Sequence, residues 1–305
     1  MNRRVHLTEV GPRDGLQSEP VQIPTADKIK LIELLEASGL QEVEVASFVR
    51  PDLVPQMADA EKVVRGLKAP PNGACRMSLV PNLRGYERAI AAGIRKVAVF
   101  TAATDAFNQV NIKTDIEGSY ARFAPVVERA VSDGVAVRAY ISAAFVCPVT
   151  GPVDPQSTLT VVRRLQDLGF EEIVLGDTTG TATPGELLPT LDAVQPHVAP
   201  KHLGLHFHDT MGSGLVNAYA SLNRGVLHFD TSVGGLGGCP NAPAAAGNIA
   251  TEDMIWLLDG LGFQHGIEVE GVLAAAQFIQ SAVGHPLTGR VLTARCNPSV
   301  KSESS

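Results

Sequence analysis

The sequence predicts an α/β chain folded as a (β/α)8 TIM barrel. Three observations carry this. Short apolar strands and apolar-periodic helices alternate eight times along the chain. The polar residues of chemical interest fall at the carboxyl ends of those strands, where such barrels keep their sites. A length of 305 residues holds one barrel of typically ~250 residues with a little to spare.

The elements follow in order. Val5–Val10 reads as the first strand, and Gly11-Pro12-Arg13-Asp14-Gly15 as the loop that ends it. Pro24 and Thr25 open a helix in which Ile29, Ile32 and Leu35 recur at helical spacing, stopping near Gly39. Gln41–Ala46 is a strand and Pro51–Leu67 a helix; Cys75–Val80 is a strand and Arg84–Ala92 a helix closed by Gly93. Lys96–Thr101 precedes a loop and the helix Asp115–Ser132. In the fifth strand, Val135–Ile141, apolar residues alternate, and the helix Ser157–Leu168 follows. Glu172–Gly176 leads into the helix Pro184–Val194, with proline in its first turn. Leu203–His208 leads into Leu215–Asn223, and Val226–Val233 is the eighth strand.

A glycine-rich loop comes next, then helices at about Glu252–Leu261 and Glu268–Ser281. The second exceeds what eight units need and is expected to cap the barrel or support an oligomer contact. Residues 1–297 are therefore expected to be one catalytic domain with carboxyl-terminal cap helices, and the polar residues 298–305 a disordered tail.

Hydrophobic residues make up 45% and charged residues 19%, as in a packed soluble enzyme. A net charge of −7 argues against a broad nucleic-acid surface, which needs clustered Lys and Arg. No apolar run approaches the ~20 residues of a membrane span, and the amino-terminal apolar run is too short for a signal peptide. Cys75, Cys147, Cys239 and Cys296 show no C-x-x-C pair, so a reducing, cytoplasmic location is expected.

The stretch Leu203-Gly-Leu-His-Phe-His-Asp-Thr210 organises the candidate site. With side chains alternating, Leu203, Leu205 and Phe207 share one face and His206 and His208 the other. Two imidazoles so placed suit chelation, although a histidine on a strand is more often a hydrogen-bonded core residue. Asp14 and Asn248 extend the pair to a mixed oxygen and nitrogen set, which favours Mg2+ or Mn2+ over structural zinc. Plainer roles exist for both: Asp14 as a turn former before Gly15, Asn248 as a helix cap. Arg13 offers a fixed cation for a developing oxyanion, or an ordinary salt bridge. Glu44 is placed to orient Arg13, and Glu9 to reach the mouth. Ser142 follows the fifth strand. Asp177, in Gly-Asp-Thr-Thr-Gly, suits either a reacting hydroxyl or a turn. Gly234-Gly-Leu-Gly-Gly-Cys239-Pro240 suits a mobile lid bearing an acid or base, against an inert buried cysteine or a phosphate cradle.

Several of these segments resemble 3-hydroxy-3-methylglutaryl-CoA lyases. They are Glu9-Val-Gly-Pro-Arg-Asp-Gly-Leu-Gln17, Glu44-Val-Ala-Ser-Phe-Val, Val54-Pro-Gln-Met, Gly176-Asp-Thr, His206-Phe-His-Asp-Thr, Gly235-Leu-Gly-Gly-Cys-Pro and Gly247-Asn-Ile-Ala-Thr-Glu-Asp. They run in order through nearly the whole chain. The resemblance implies a metal-dependent lyase that cleaves a branched 3-hydroxyacyl-CoA thioester to acetyl-CoA and acetoacetate, as a homodimer or higher homo-oligomer. It implies metal ligands at Asp14, His206, His208 and Asn248, and catalytic residues at Arg13, Cys239, Asp177 and Glu44. It implies substrate contacts at Arg13, Gln17 and Ser142, with Glu252 in support. Asp14, Asp177 or His206 would take the 3-hydroxyl proton, and Cys239 would protonate the enolate carbon.

The chain departs from the family pattern at Ser18-Glu-Pro20, at Asn241-Ala-Pro-Ala-Ala-Ala-Gly-Asn248 and at Phe207, which stands between the histidines where cysteine is usual. These are read as a changed rim, which admits citramalyl-CoA or a longer branched homologue as substrate. A condensing synthase of the isopropylmalate type is the runner-up, but such enzymes carry Glu-Arg in place of Gly-Cys-Pro. A metal-binding barrel without catalysis is the remaining alternative.

Overall fold

The computed structural model describes residues 4–238 and 247–296 of the chain. Its strands are β1 (His6–Glu9), β2 (Glu42–Ser47), β3 (Cys75–Leu79), β4 (Lys96–Ala102), β5 (Ala136–Ser142), β6 (Val146–Cys147), β7 (Gly151–Pro152), β8 (Glu172–Asp177), β9 (Leu203–Phe207) and β10 (His228–Thr231). All but β6 and β7 close a parallel barrel in the order β1-β10-β9-β8-β5-β4-β3-β2. The two exceptions form a small antiparallel hairpin after β5.

The helices are α1 (Thr25–Ala37), α2 (Ala60–Gly66), α3 (Leu83–Ala92), α4 (Asp105–Ile112), α5 (Ile116–Asp133), α6 (Pro155–Asp167), α7 (Pro184–Val194), α8 (Gly214–Asn223), α9 (Thr251–Leu261), α10 (Val269–Val283) and α11 (Arg290–Cys296). Their ends are chemically marked. Asn82 caps α3 by accepting the Gly85 N–H at 3.0 Å, and Gly93 closes it at φ +117°. Thr183 and Glu186 form a capping box on α7.

Three local expectations give way. The helix expected over Pro51–Leu67 is a 3-10 turn at Pro55–Met57 followed by the short α2. Gln56 explains the break, because its side chain accepts from Ile23 N–H at 3.0 Å and donates to the Val21 carbonyl at 2.8 Å. The loop expected over residues 11–15 is one wide helical turn. Beyond the expected pattern, α4 and the β6–β7 hairpin follow β4 and β5 and pack together through Phe107 and Cys147, and α11 follows the second cap helix. That cap helix, α10, packs on α1: Glu268 N–H, just before it, donates to the Ser38 carbonyl at 2.7 Å.

Side-chain alternation gives the barrel two contrasting faces. Outward residues such as Leu203, Leu205 and Phe207 join the main core under the helices. Inward, the floor is ionic. Arg138 on β5 is 1% exposed and meets Asp230 at 2.6 Å, Glu172 at 3.1 Å and Glu42 at 3.3 Å. Lys96 on β4 bridges Glu42 at 2.7 Å and Glu172 at 2.5 Å. A buried cation stays ionised only when so surrounded. Gly204 makes room for the guanidinium, since a Cβ there would lie 3.3 Å from Arg138 Nη2 and 3.0 Å from Val174 Cγ2.

Candidate active site

The turn after β1 puts Arg13 and Asp14 into the barrel mouth. The N–H groups of Arg13, Asp14 and Gly15 all donate to the Val10 carbonyl. Two glycines let the turn seat closely. A Cβ on Gly11 would stand 2.6 Å from Glu9 Oε1, and one on Gly15 2.8 Å from Leu236 Cβ. Gln17, half-buried one turn on, donates its amide to Asp14 Oδ1 at 3.0 Å.

Asp14, His206 and His208 gather at this mouth, all buried, with one ligand atom from each within 4.8 Å of the others. His206 Nε2 and His208 Nε2 are 3.3 Å apart. They lie 3.8 and 4.0 Å from Asp14 Oδ2. Asn248 completes the group. Its chain is laid along the end of β9, with Ile249 N–H donating to the Phe207 carbonyl and Asp209 N–H to the Gly247 carbonyl, both at 3.0 Å. Its amide nitrogen donates to Asp14 Oδ2 at 2.9 Å, while its Oδ1 is buried without a hydrogen-bond donor among the described residues. Such an orphaned acceptor beside a carboxylate and two imidazoles fits a cation. Cis ligands with bonds of ~2.1–2.3 Å stand about 3 Å apart, close to the spacing of the two histidines.

The surroundings set the charge of these groups: burial pulls the His206 imidazole down, but Asp230 and Asp14 outweigh it and raise its pKa. Arg13 first, then the two histidines and Asn248, pull the Asp14 carboxyl down to about 2 against the upward pressure of burial. His206 Nδ1 faces Asp230 Oδ2 at 3.1 Å, which directs its Nε2 to the mouth. Asp230 in turn is held by Arg138, so the barrel floor and the mouth are one ionic chain.

Arg13 is clamped from two sides. Its Nε donates to Glu44 Oε2 at 2.6 Å and its Nη1 to Asp14 Oδ1. Its guanidinium carbon lies 5.8 Å from the centre of the Tyr140 ring. Glu44 is fully buried with Oε1 lacking a partner among the described residues, and burial pushes its carboxyl up against the opposing pull of Arg13.

Other expected residues sit elsewhere. The Asp177 carboxylate is turned into its own loop: Oδ1 accepts from the Thr179 hydroxyl and Gly180 N–H, Oδ2 from Ala182 N–H, each at 3.1 Å. Alternation explains this, because Glu172, Val174 and Gly176 take the inward positions of β8. Glu9 likewise lies on the outer side of β1. It accepts from Gly11 N–H at 2.8 Å, Val233 N–H at 2.9 Å and the Thr251 hydroxyl at 2.6 Å. Glu252 accepts from Gly234 N–H at 3.0 Å. Both carboxyls therefore brace the glycine-rich loop from below, and burial pushes them up to about 7 and about 8. Ser142 takes an inward position at the end of β5 and is half-buried. Cys239, the expected proton donor, lies outside the described residues, as does the 298–305 tail.

Sequence reasoning missed Asp230, Arg138 and Tyr140. Arg138 and Tyr140 left a signal, as polar residues at alternate positions of an otherwise largely apolar strand, whereas Asp230 left none of its own. Phe207 lies on the face expected for it, with Leu203 and Leu205, but it is no part of a changed rim. That ring faces outward against Phe145, at 6.3 Å between centres, and leaves the rim untouched.

A protein-family model described as HMGL-like matches residues 4–279. The chain is 47% identical over 282 residues to the 3-hydroxy-3-isohexenylglutaryl-CoA/hydroxy-methylglutaryl-CoA lyase of Pseudomonas aeruginosa, covering 92% of this chain and 94% of that one. It superposes on a crystal structure of hydroxymethylglutaryl-CoA lyase from Pseudomonas aeruginosa with a TM-score of 0.93 at 46% identity, covering 96% and 98% of the two chains. It superposes on an HMG-CoA lyase from Acinetobacter baumannii in complex with coenzyme A and 3-methylmalate with a TM-score of 0.92 at 33% identity, covering 97% and 96%.

Proposed function

The chain belongs to the HMGL-like family, and we propose that it is a divalent-metal-dependent carbon–carbon lyase cleaving 3-hydroxy-3-methylglutaryl-CoA to acetyl-CoA and acetoacetate. The observation that carries this reading is the convergence of Asp14 Oδ2, two histidine Nε2 atoms and the unpartnered Oδ1 of Asn248 beside a clamped arginine.

The reaction passes the 3-hydroxyl proton to a base at the mouth, Asp14 or His206, breaks the bond between C2 and C3, leaves C3 as the ketone of acetoacetate and releases C2 as a thioester enolate. Asp14, His206, His208 and Asn248 would hold the cation. Mg2+ or Mn2+ suits this thiolate-free set and supplies the charge that makes a bound hydroxyl easier to deprotonate. Asp230 fixes the His206 tautomer that offers Nε2.

Arg13 stabilises the enolate oxygen. Glu44 and Asp14 hold its guanidinium in place before substrate arrives, so little reorganisation accompanies the charge shift. Cys239 delivers a proton to the enolate carbon. Gln17 and Ser142 meet the polar parts of the substrate. Asp177, through its loop, acts as a positioning residue. No helix among the described residues is long and apolar enough to cross a membrane, and a cytoplasmic homodimer or higher homo-oligomer belongs to the same proposal.

The test is direct. The purified chain, given 3-hydroxy-3-methylglutaryl-CoA with Mg2+ or Mn2+, is expected to release acetyl-CoA and acetoacetate in equal amounts and to stop when the metal is chelated. Metal binding with neither product formed rejects the reading.

A further inference from the structure

Inside the barrel a second apolar cluster stands apart from the main core. Met77, Leu79, Ala98, Tyr140 and Val174 are its buried members, and Val49 and Phe100 pack at its edge. Lys96, Ala98 and Phe100 take successive inward positions on β4. Lys96 belongs to the ionic floor and Ala98 is fully buried, whereas Phe100 is only partly covered. The open part of Phe100 therefore faces the mouth.

Tyr140 divides this mouth into two walls. It is the register partner of Phe100 across β4 and β5. Its ring meets the His206 ring at 6.1 Å, nearly edge-on at 77°, and lies beneath Arg13. The ionic wall with Asp14 and the histidines is on one side, and Phe100, Val49 and Leu79 are on the other. The substrate carbon that reacts is divided in the same way. C3 carries a hydroxyl, an arm ending in a carboxylate, an arm ending in the thioester, and one purely apolar substituent. Only the apolar substituent gains by leaving water against an apolar wall.

We propose that the edge formed by Phe100 and Val49 is the subsite for the 3-alkyl branch, and that the Phe100 ring limits the branch to a short one. This rests on the lyase reading above. Phe100 is then a specificity-determining residue whose removal lengthens the accepted branch.

The experiment compares kcat/KM for 3-hydroxy-3-methylglutaryl-CoA and its 3-propyl homologue in the wild-type protein, Phe100→Ala and Phe100→Leu. A methylene that an apolar pocket accommodates or rejects changes kcat/KM by about tenfold or more. The propyl-to-methyl ratio is expected to rise by at least about that factor in Phe100→Ala and by less in Phe100→Leu. A ratio does not depend on the folded fraction, and the leucine variant stands in where the alanine variant does not fold. An unchanged ratio in an active variant overturns the subsite while leaving the lyase reading intact. A wild-type protein silent on both esters rejects the lyase reading, and the subsite with it.

Discussion

Asp230 joins Arg138 to His206: one carboxylate oxygen lies 2.6 Å from Arg138 Nη2, the other 3.1 Å from His206 Nδ1. The ion chain of the barrel floor thus ends on a metal-ligand candidate. Replacing Asp230 by asparagine keeps the shape and removes the charge. Outer partners of a ligating histidine are typically worth 10- to 100-fold in metal affinity. Asp230→Asn is expected to weaken Mn2+ binding by about tenfold or more, read by calorimetric titration. It should also lower stability, since Arg138 loses the nearest of its carboxylates. Unaltered affinity would show that the floor and the mouth are independent.

Arg13 is fixed by a fork that lysine cannot reproduce. Its Nε and Nη2 both reach Glu44 while Nη1 reaches Asp14. Arg13→Lys keeps the charge and loses this geometry. Removing one preorganised oxyanion partner costs roughly 10²- to 10³-fold in kcat. We expect a fall of that order in acetyl-CoA release, with Mn2+ affinity at pH 8 changed only a few-fold. A variant with near-native kcat would remove Arg13 from enolate stabilisation.

The barrel was legible in the sequence because period-two strands and helix stops such as Gly39 and Gly93 are local signals. What escaped reading depended on tertiary pairing. Asp230 is one carboxylate in His228-Phe-Asp-Thr231 until register places it opposite His206. The break at Pro55–Met57 depends on Gln56 reaching back to Val21 and Ile23. Asp177 was readable in principle, since counting in twos from Val174 turns it outward, just as the same count puts Phe207 on the core face with Leu203 and Leu205.

Asn248 is kept in place by a glycine. Gly237 has φ +131°, and a Cβ there would come within 2.7 Å of Asn248 Nδ2. Gly237→Ala is therefore strained in backbone and displaces the amide from Asp14. Metal affinity and turnover are expected to fall together, by about tenfold or more in affinity, as for loss of a supporting contact. Asn248→Ala should do the same by deleting the amide itself. If Gly237→Ala lowers turnover while Mn2+ affinity stays native, the glycine serves the loop and not the asparagine.

Glu252 makes stability depend on pH. It is fully buried, its Oε1 has no partner among the described residues, and burial pushes its carboxyl from 4.5 up to about 8. Between those values the folded chain holds a proton that the unfolded chain has released. The folded state binds more protons, so stability falls as pH rises across this window, and the contribution is gone above about 8. Glu9, raised to about 7, adds a decline of the same sign. Glu252→Gln keeps an oxygen for the Gly234 N–H and cannot ionise. Unfolding free energies from urea titrations in chelator should drop less between pH 5.5 and 8.5 in the variant than in the wild type. The difference is expected to be roughly 2–4 kcal/mol, since one proton held across one pH step is worth about 1.4 kcal/mol. At the higher pH the glutamine variant should be the more stable of the two. Equal drops in both proteins would mean that Glu252 is already ionised, and that the loop it braces rests on a charge and not on a proton.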